Sequence, residues 1–281
     1  MRIKRRIWQR FCGFTILEAV ISTAIMGLII TAGLTLYLNQ QKQWVVQEQI
    51  VDAQQNVRVA MDEISRNARM AGCGVFPWGL EPIESTDTDP DTLFLRSNPN
   101  DCSAAIGKNV LSNTMHTRNH PRCFKPGMRA YIWDYIGQYE WFTVDRVDTN
   151  MGQGWYEIHS TQNLINIYNK KDNPRVMVFT ELKYFIDQTT DSDHPVLMRS
   201  INGYPPQVYA ENIEDLQVQY ILNDGSITGS APGDLDDIKI MQFELGARTE
   251  RQDPLWTDDD HGDGYRRRNL VSRIDARNLG L

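Results

Sequence analysis

The chain has 281 residues, 41% of them apolar and 23% charged, a globular balance that excludes a disordered or low-complexity protein. Its formal net charge is −7, from 29 basic and 36 acidic side chains. That sign argues against general nucleic-acid binding, which rests on neutralising phosphates.

Met1 to Gly13 carries Arg2, Lys4, Arg5, Arg6 and Arg10 and no acidic residue. Phe14 to Leu38 follows, a run of 25 residues with a single charged side chain, Glu18. At about 1.5 Å per residue, a helix of that length spans the roughly 30 Å hydrocarbon core with some tilt. The basic flank stays cytoplasmic, so the bulk of the chain is expected across the membrane. A secretory signal peptide has a shorter apolar stretch and a small-residue cleavage site after it. Here the small-residue site, Cys12-Gly13, comes before it. A plain signal anchor accounts for the flank and the length. It leaves unexplained an acid at the lip of the span, where an unpaired charge is costly.

Beyond Leu38 the pattern turns amphipathic. Val46, Ile50, Ala53, Val57, Met61 (or Ala60), Ile64 and Ala68 recur at spacings of three and four, a helical period. Arg58–Asp62 and Asp62–Arg66 form i,i+4 pairs on the other face. No proline occurs from Phe14 to Val75. One helix is therefore predicted from about Thr15 to Met70, ending near Gly72 and Gly74. Residues 14–38 form its membrane or fibre-core half. Residues 39–72 form an amphipathic half whose apolar stripe needs a domain to cover it.

Residues 73–281 read as that domain. Cys73 to Pro90 is rich in Gly, Pro and Asp and reads as loop. Strands are expected at Thr92–Arg96, Ala130–Tyr135, Trp141–Val147, Trp155–His159, Arg175–Phe185, Val196–Ser200, Leu216–Ile221, Ile238–Gly246 and Leu270–Ala276, separated by turn signals such as Asn223-Asp224-Gly225 and Asn202-Gly203. A long N-terminal helix followed by antiparallel strands defines an α+β class.

Gly13-Phe14-Thr15-Ile16-Leu17-Glu18 before an uncharged run resembles the class III signal of type IV pilins and type II secretion pseudopilins. The resemblance implies a type IV pilin-like fold and a leader, residues 1–13, removed by prepilin peptidase between Gly13 and Phe14. It also implies N-methylation of Phe14, and pairing of Glu18, the fifth mature residue, with the N-terminal amine of a neighbouring subunit. A buried carboxylate in a fibre core needs such a cation. Removing the leader's five positive charges leaves 24 basic against 36 acidic residues, a balance of −12.

The stretch from Val208 to Tyr220, with Asn212-Ile213 and Leu216, resembles a segment of PilW-type minor pilins and J-type pseudopilins. Arg69-Met70-Ala71-Gly72, Ile238–Arg248 and Tyr265-Arg266-Arg267-Arg268 resemble other segments of that family. The membrane segment lacks the proline of many major pilins. These resemblances imply a minor pilin of the inner membrane, single-pass, with a periplasmic domain and a place in a pilus initiation or tip complex. Its implied partners are prepilin peptidase, other minor and major pilins and the inner-membrane assembly platform. A J-like minor pseudopilin is the near alternative. A periplasmic binding or enzymatic domain on a pilin-like anchor is the distant one.

Of the four cysteines, Cys12 leaves with such a leader. Cys102–Cys123 is the expected bridge, because both lie in one loop-rich region and joining them closes a loop of about 20 residues, worth about 3 kcal/mol in the chain-entropy model. Pairing of Cys73 with either stays open, because sequence does not fix connectivity.

His116, His120 and Cys123 have zinc-ligand types at plausible spacing, in a loop context and with a disulfide competing for the thiol. Asp258-Asp259-Asp260-His261-Gly262-Asp263-Gly264 has calcium-type oxygens without EF-hand spacing. Asp87, Asp89 and Asp91, and Asp234, Asp236 and Asp237, are weaker clusters of the same kind. Arg266 to Arg268 reads as a basic edge after an acidic loop. Trp78, Trp155 and Trp256 stand within two residues of Gly or Pro and read as surface candidates. No nucleophile elbow, P-loop or triad is legible, so no catalytic residue, metal or cofactor is assigned and the chain is read as a structural subunit.

Overall fold

The computed structural model describes residues 15–75, 80–152 and 154–279; the leader 1–13, the Gly13/Phe14 junction and Trp78 lie outside them. One helix, α1, runs from Ile16 to Met70 over 55 residues. It stops where backbone conformation changes hand. Gly72 and Gly74 have φ of +82° and +66°, values that L side chains rarely adopt. A Cβ on Gly72 would also lie 1.9 Å from the Asn278 carbonyl oxygen, and one on Gly74 2.4 Å from that of Asn98. The Gly72 amide donates to Arg96 O at 3.0 Å, and Asn278 Nδ2 donates to Arg69 O at 2.9 Å. The last helical turn is thus tied to the strand that contains Arg96 and to the C-terminal segment.

The chain divides into two compact units, residues 1–49 and 50–281. In the first, every described residue from Ile16 to Gln49 is helical. It contains an apolar stretch long and uncharged enough to cross a membrane, with mean hydropathy 2.1.

The second unit holds the end of α1 and fifteen strands in three antiparallel sheets among the described residues. β1 (Ile83–Ser85), β2 (Leu93–Ser97), β9 (Thr180–Asp187), β10 (Val196–Ile201) and β11 (Gln207–Glu211) form the first, in that order. The second has β12 (Ile213–Leu222) flanked by β13 (Ile227–Thr228) and β14 (Ile238–Arg248), with β15 (Arg267–Asp275) beyond. Ala53, Val57, Ala60, Met61, Ile64 and Ala68 of α1 pack with Leu93, Tyr184, Leu216, Phe243 and Leu245 into one core. The helical stripe is therefore covered by both sheets.

Between β2 and β9 the chain leaves the first sheet and returns to pair next to where it left, Ser97 facing Thr180. The intervening segment makes a six-stranded sheet. β3 (Ser103–Ala105), β4 (Thr114–Thr117), β5 (Arg129–Trp133), β6 (Tyr139–Gly152), β7 (Trp155–Ser160) and β8 (Arg175–Val178) are ordered β3-β8-β5-β6-β7-β4. It has its own core, around Met115, Ile132, Phe142, Ile158 and Tyr168. Cys102 and Cys123 are disulfide-bonded, with Cα atoms 5.9 Å apart and a sequence separation of 21, and both pack against this core. Cys73 is free and half-buried.

The sequence expectation of one strand over Arg175–Phe185 is corrected. Two strands occupy it, β8 in the inserted sheet and β9 in the first, with Phe179 between them. The apolar residues of 176–179 lead straight into the alternation of 180–185 without a glycine, proline or other turn residue, so the stretch carries no signal for a change of sheet. The strands β1, β3, β4, β11 and β13 were not expected; each has five residues or fewer and too little alternation to stand out.

Candidate functional site

The start of α1 is built as a reciprocal cap. Thr15 N and Thr15 Oγ1 both donate to Glu18 Oε2 at 3.0 Å, and Glu18 N donates to Thr15 Oγ1 at 3.3 Å. This is a capping box, in which two residues three apart satisfy each other's orphan amides. A negative charge in the first turn also complements the helix dipole. The signal was in the sequence, since Thr-x-x-Glu before an apolar run is the capping-box pattern. Sequence reasoning treated Glu18 as an acid in want of a partner and missed the local one.

From Ile16 to Leu38 the described side chains are all exposed, including Ile16, Leu17, Val20, Ile25, Leu28, Ile29, Leu34 and Leu38. Three threonine hydroxyls within this stretch are turned back on the helix. Thr23 Oγ1 donates to Ala19 O at 3.0 Å, while Thr31 and Thr35 hydroxyls donate to Gly27 O and Thr31 O at 2.8 Å each. The surface is thus apolar with one carboxylate at its end.

Farther along, α1 carries Glu63, only 7% exposed. Arg199 Nη1 on β10 donates to its Oε1 at 2.9 Å, Tyr184 OH lies 3.5 Å from the same oxygen, and Arg66 pairs with Oε2. Burial opposes ionisation, but the Asn67 amide and the two guanidiniums outweigh it and hold the carboxyl below its ordinary value. Arg199 also lies over the Tyr209 ring, 4.9 Å from its centroid. This network fastens the helix to the first sheet.

The other residues singled out from sequence fall into place differently. Cys123 is in the disulfide, His120 packs on the Tyr156 ring at 4.9 Å, and His116 Nε2 lies 3.3 Å from Glu157 Oε1. His116, His120 and Cys123 are therefore not assembled as one site. The acidic loop closes on an internal cation. Arg267 donates to both oxygens of Asp263 at 2.7 Å, to Glu214 Oε1 at 2.7 Å and to Asp258 Oδ2 at 3.2 Å. Burial works against it, yet the amides of Asp260 and His261, the His261 ring and Arg267 hold the Asp258 carboxyl down to about 2. Arg266 is likewise taken up, by Asp253 Oδ2 at 2.7 Å and by the Trp256 ring. Of the three arginines, Arg268 is the one whose contact, to Arg267 O, leaves it exposed. Trp155 and Trp256 are half-buried. Asp91 is buried and accepts from Val218 N at 2.7 Å, and Asp234 caps the short turn before β14. An open cleft of about 750 Å³ is lined by Asp89, Gln188, Glu214, Arg248, Asp258 and Arg267 among others. Glu214, Arg248, Asp258 and Arg267 in that cleft pair with one another.

No family model and no curated protein matches the sequence. Among solved structures, the chain is similar to a type IV-like pilin from Thermus thermophilus, at 9% identity and a TM-score of 0.40, with 81% of this chain and 96% of that chain covered.

Proposed function

We propose that the chain is a minor subunit of a type IV pilus, acting in an initiation or tip complex. Prepilin peptidase cuts between Gly13 and Phe14 and methylates Phe14. The mature helix then packs among those of other minor and major pilins at the inner-membrane assembly platform, and its β-rich domain is periplasmic. The observation that carries this reading is the apolar stretch Ile16–Leu38, exposed throughout and carrying Glu18 in its first turn. Such a surface needs lipid or neighbouring helices around it, and a carboxylate among helices needs a cation. The new amine of a neighbour's Phe14 supplies it and sets the axial register.

Mass spectrometry of the mature N-terminus tests the processing. N-methyl-Phe14 is expected; an intact Met1 in cells with active prepilin peptidase would sink the proposal. Glu18→Ala is expected to be cleaved normally and to be lost from assembled fibres. A J-like minor pseudopilin is the second reading, favoured by the same segment from Val208 to Tyr220. Cross-linking partners drawn from a secretion system rather than a pilus would select it.

A further inference from the structure

Two polar rows cross the strands β4, β7 and β6. In one, His116 stands opposite Glu157 and Glu157 opposite Asp148; in the next, Thr114 stands opposite His159 and His159 opposite Arg146. Two carboxylates directly opposite on neighbouring strands repel one another, so the first row calls for a cation.

The donor atoms converge. His159 Nε2 lies 3.0 Å from Asp148 Oδ2 and 3.3 Å from Glu157 Oε2, and one ligand atom from each of the three residues falls within 4.8 Å of the others. Zinc with bonds of about 2.0–2.1 Å in a tetrahedron sets its ligand atoms about 3.3 Å apart. His159 is 8% exposed, and its Nδ1 lies 3.1 Å from Thr114 Oγ1. A proton on Nδ1 donated to that hydroxyl leaves the Nε2 lone pair facing the carboxylates, the arrangement found behind metal-bound histidines. His116 Nε2, 3.3 Å from Glu157 Oε1, holds the other oxygen of that carboxylate. Asp148 and Glu157 are partly exposed, which gives an ion a way in. Arg146 touches the same atoms, its Nη2 3.3 Å from His159 Nε2 and its Nε 3.3 Å from Asp148 Oδ2, but its side chain is 60% exposed and can swing into solvent.

We propose that Asp148, Glu157 and His159 bind a zinc-class divalent ion, with water in the fourth position and with Thr114 and His116 as positioning residues. One nitrogen and two carboxylate oxygens suit zinc better than calcium, which takes six or more oxygens. The ion joins β6 to β7, and through Thr114 and His116 it steadies β4, one of the two edge strands of the inserted sheet. Sequence reasoning found His116 but paired it with His120 and Cys123; the true neighbours come from two other strands.

The test uses the full-length chain in detergent, stripped of metal and titrated with Zn²⁺ alone. One ion per chain and a higher thermal midpoint are expected. His159→Ala, and separately Asp148→Asn with Glu157→Gln, are each expected to weaken zinc binding at least tenfold, and Thr114→Val about tenfold. His194→Ala and His261→Ala are expected to leave it unchanged. Because the double variant removes the like-charge pair, its metal-free midpoint is expected to equal or exceed that of the parent. A parent chain that binds no zinc, or a double variant that binds it as well as the parent, overturns the site.

Discussion

Near the start of α1, Glu18 is exposed and shares hydrogen bonds with Thr15, three residues away. Toward its end, Glu63 is buried against Arg66, Arg199 and Tyr184, two of them from strands far off in sequence. The same side chain on one helix thus has a complete tertiary environment in one place and a purely local one in the other. A buried carboxylate with its partners present belongs to the folded unit. An exposed one beside an uncovered apolar surface has only its local partner in the fold, and on the proposed function its further partner is a neighbouring subunit. Stability measurements and assembly measurements should therefore separate along this helix.

The sharpest separation is expected from apolar truncations. Ile64 is 0% exposed in the core shared with both sheets. Ile64→Ala is expected to cost about 3 kcal/mol, from lost burial and the cavity left behind. Ile25 lies in the exposed stretch, and Ile25→Ala is expected to change domain stability by no more than about 0.5 kcal/mol. Chemical denaturation of the full chain in detergent, followed by near-ultraviolet circular dichroism of the domain, measures both. Equal costs would break the contrast.

Glu63→Ala is expected to cost about 2 kcal/mol, because it leaves the partly buried Arg199 without its carboxylate. The sign of the pH dependence follows from the depressed pKa. The stabilisation from Glu63 is fully present above its unfolded value, about 4.3, and is lost as pH falls through the lower folded value. Asp253, Asp258 and Asp263 are depressed as well and add to acid lability. The parent-minus-Glu63→Gln difference isolates one group. That difference is expected to be constant near neutrality and to shrink below about pH 4. A difference that does not change with pH would remove the ion-pair account.

What sequence could and could not supply follows the range of the interactions. The α+β class and the extent of the helix were legible, because the apolar period, the absence of proline and the glycines after Met70 are local signals. Glu18 was legible as an unusual acid, and its Thr15 cap was also written within four residues. The Glu63 network was not, since Arg199 and Tyr184 reach it only through the pairing of β9 with β10. The sheet inserted between β2 and β9 was invisible for the same reason. Strand signals say where a strand is and not which sheet it joins. The acidic loop was read as a possible cation site on composition; that Arg267 fills it depends on Glu214, fifty-odd residues earlier, completing the cage.

The smallest effect on stability, and the most informative one on function, is expected at the cap itself. Thr15→Ala removes the hydroxyl of the capping box and costs the helix start about 1 kcal/mol, with no change in the domain's denaturation midpoint. Glu18→Gln divides the two roles of Glu18. Glutamine serves as well as glutamate at this position of a capping box, so the helix start is kept while the charge is lost. If Glu18 acts only as a cap, Glu18→Gln is expected to enter fibres like the parent, and Thr15→Ala is expected to be impaired. If Glu18 pairs with a neighbour's amine, the order reverses. Thr15→Ala leaves the carboxylate free and incorporates, while Glu18→Gln is processed at Gly13/Phe14 and left in the membrane. The proposal requires the second pattern, read by quantifying each variant in sheared fibres against the membrane fraction.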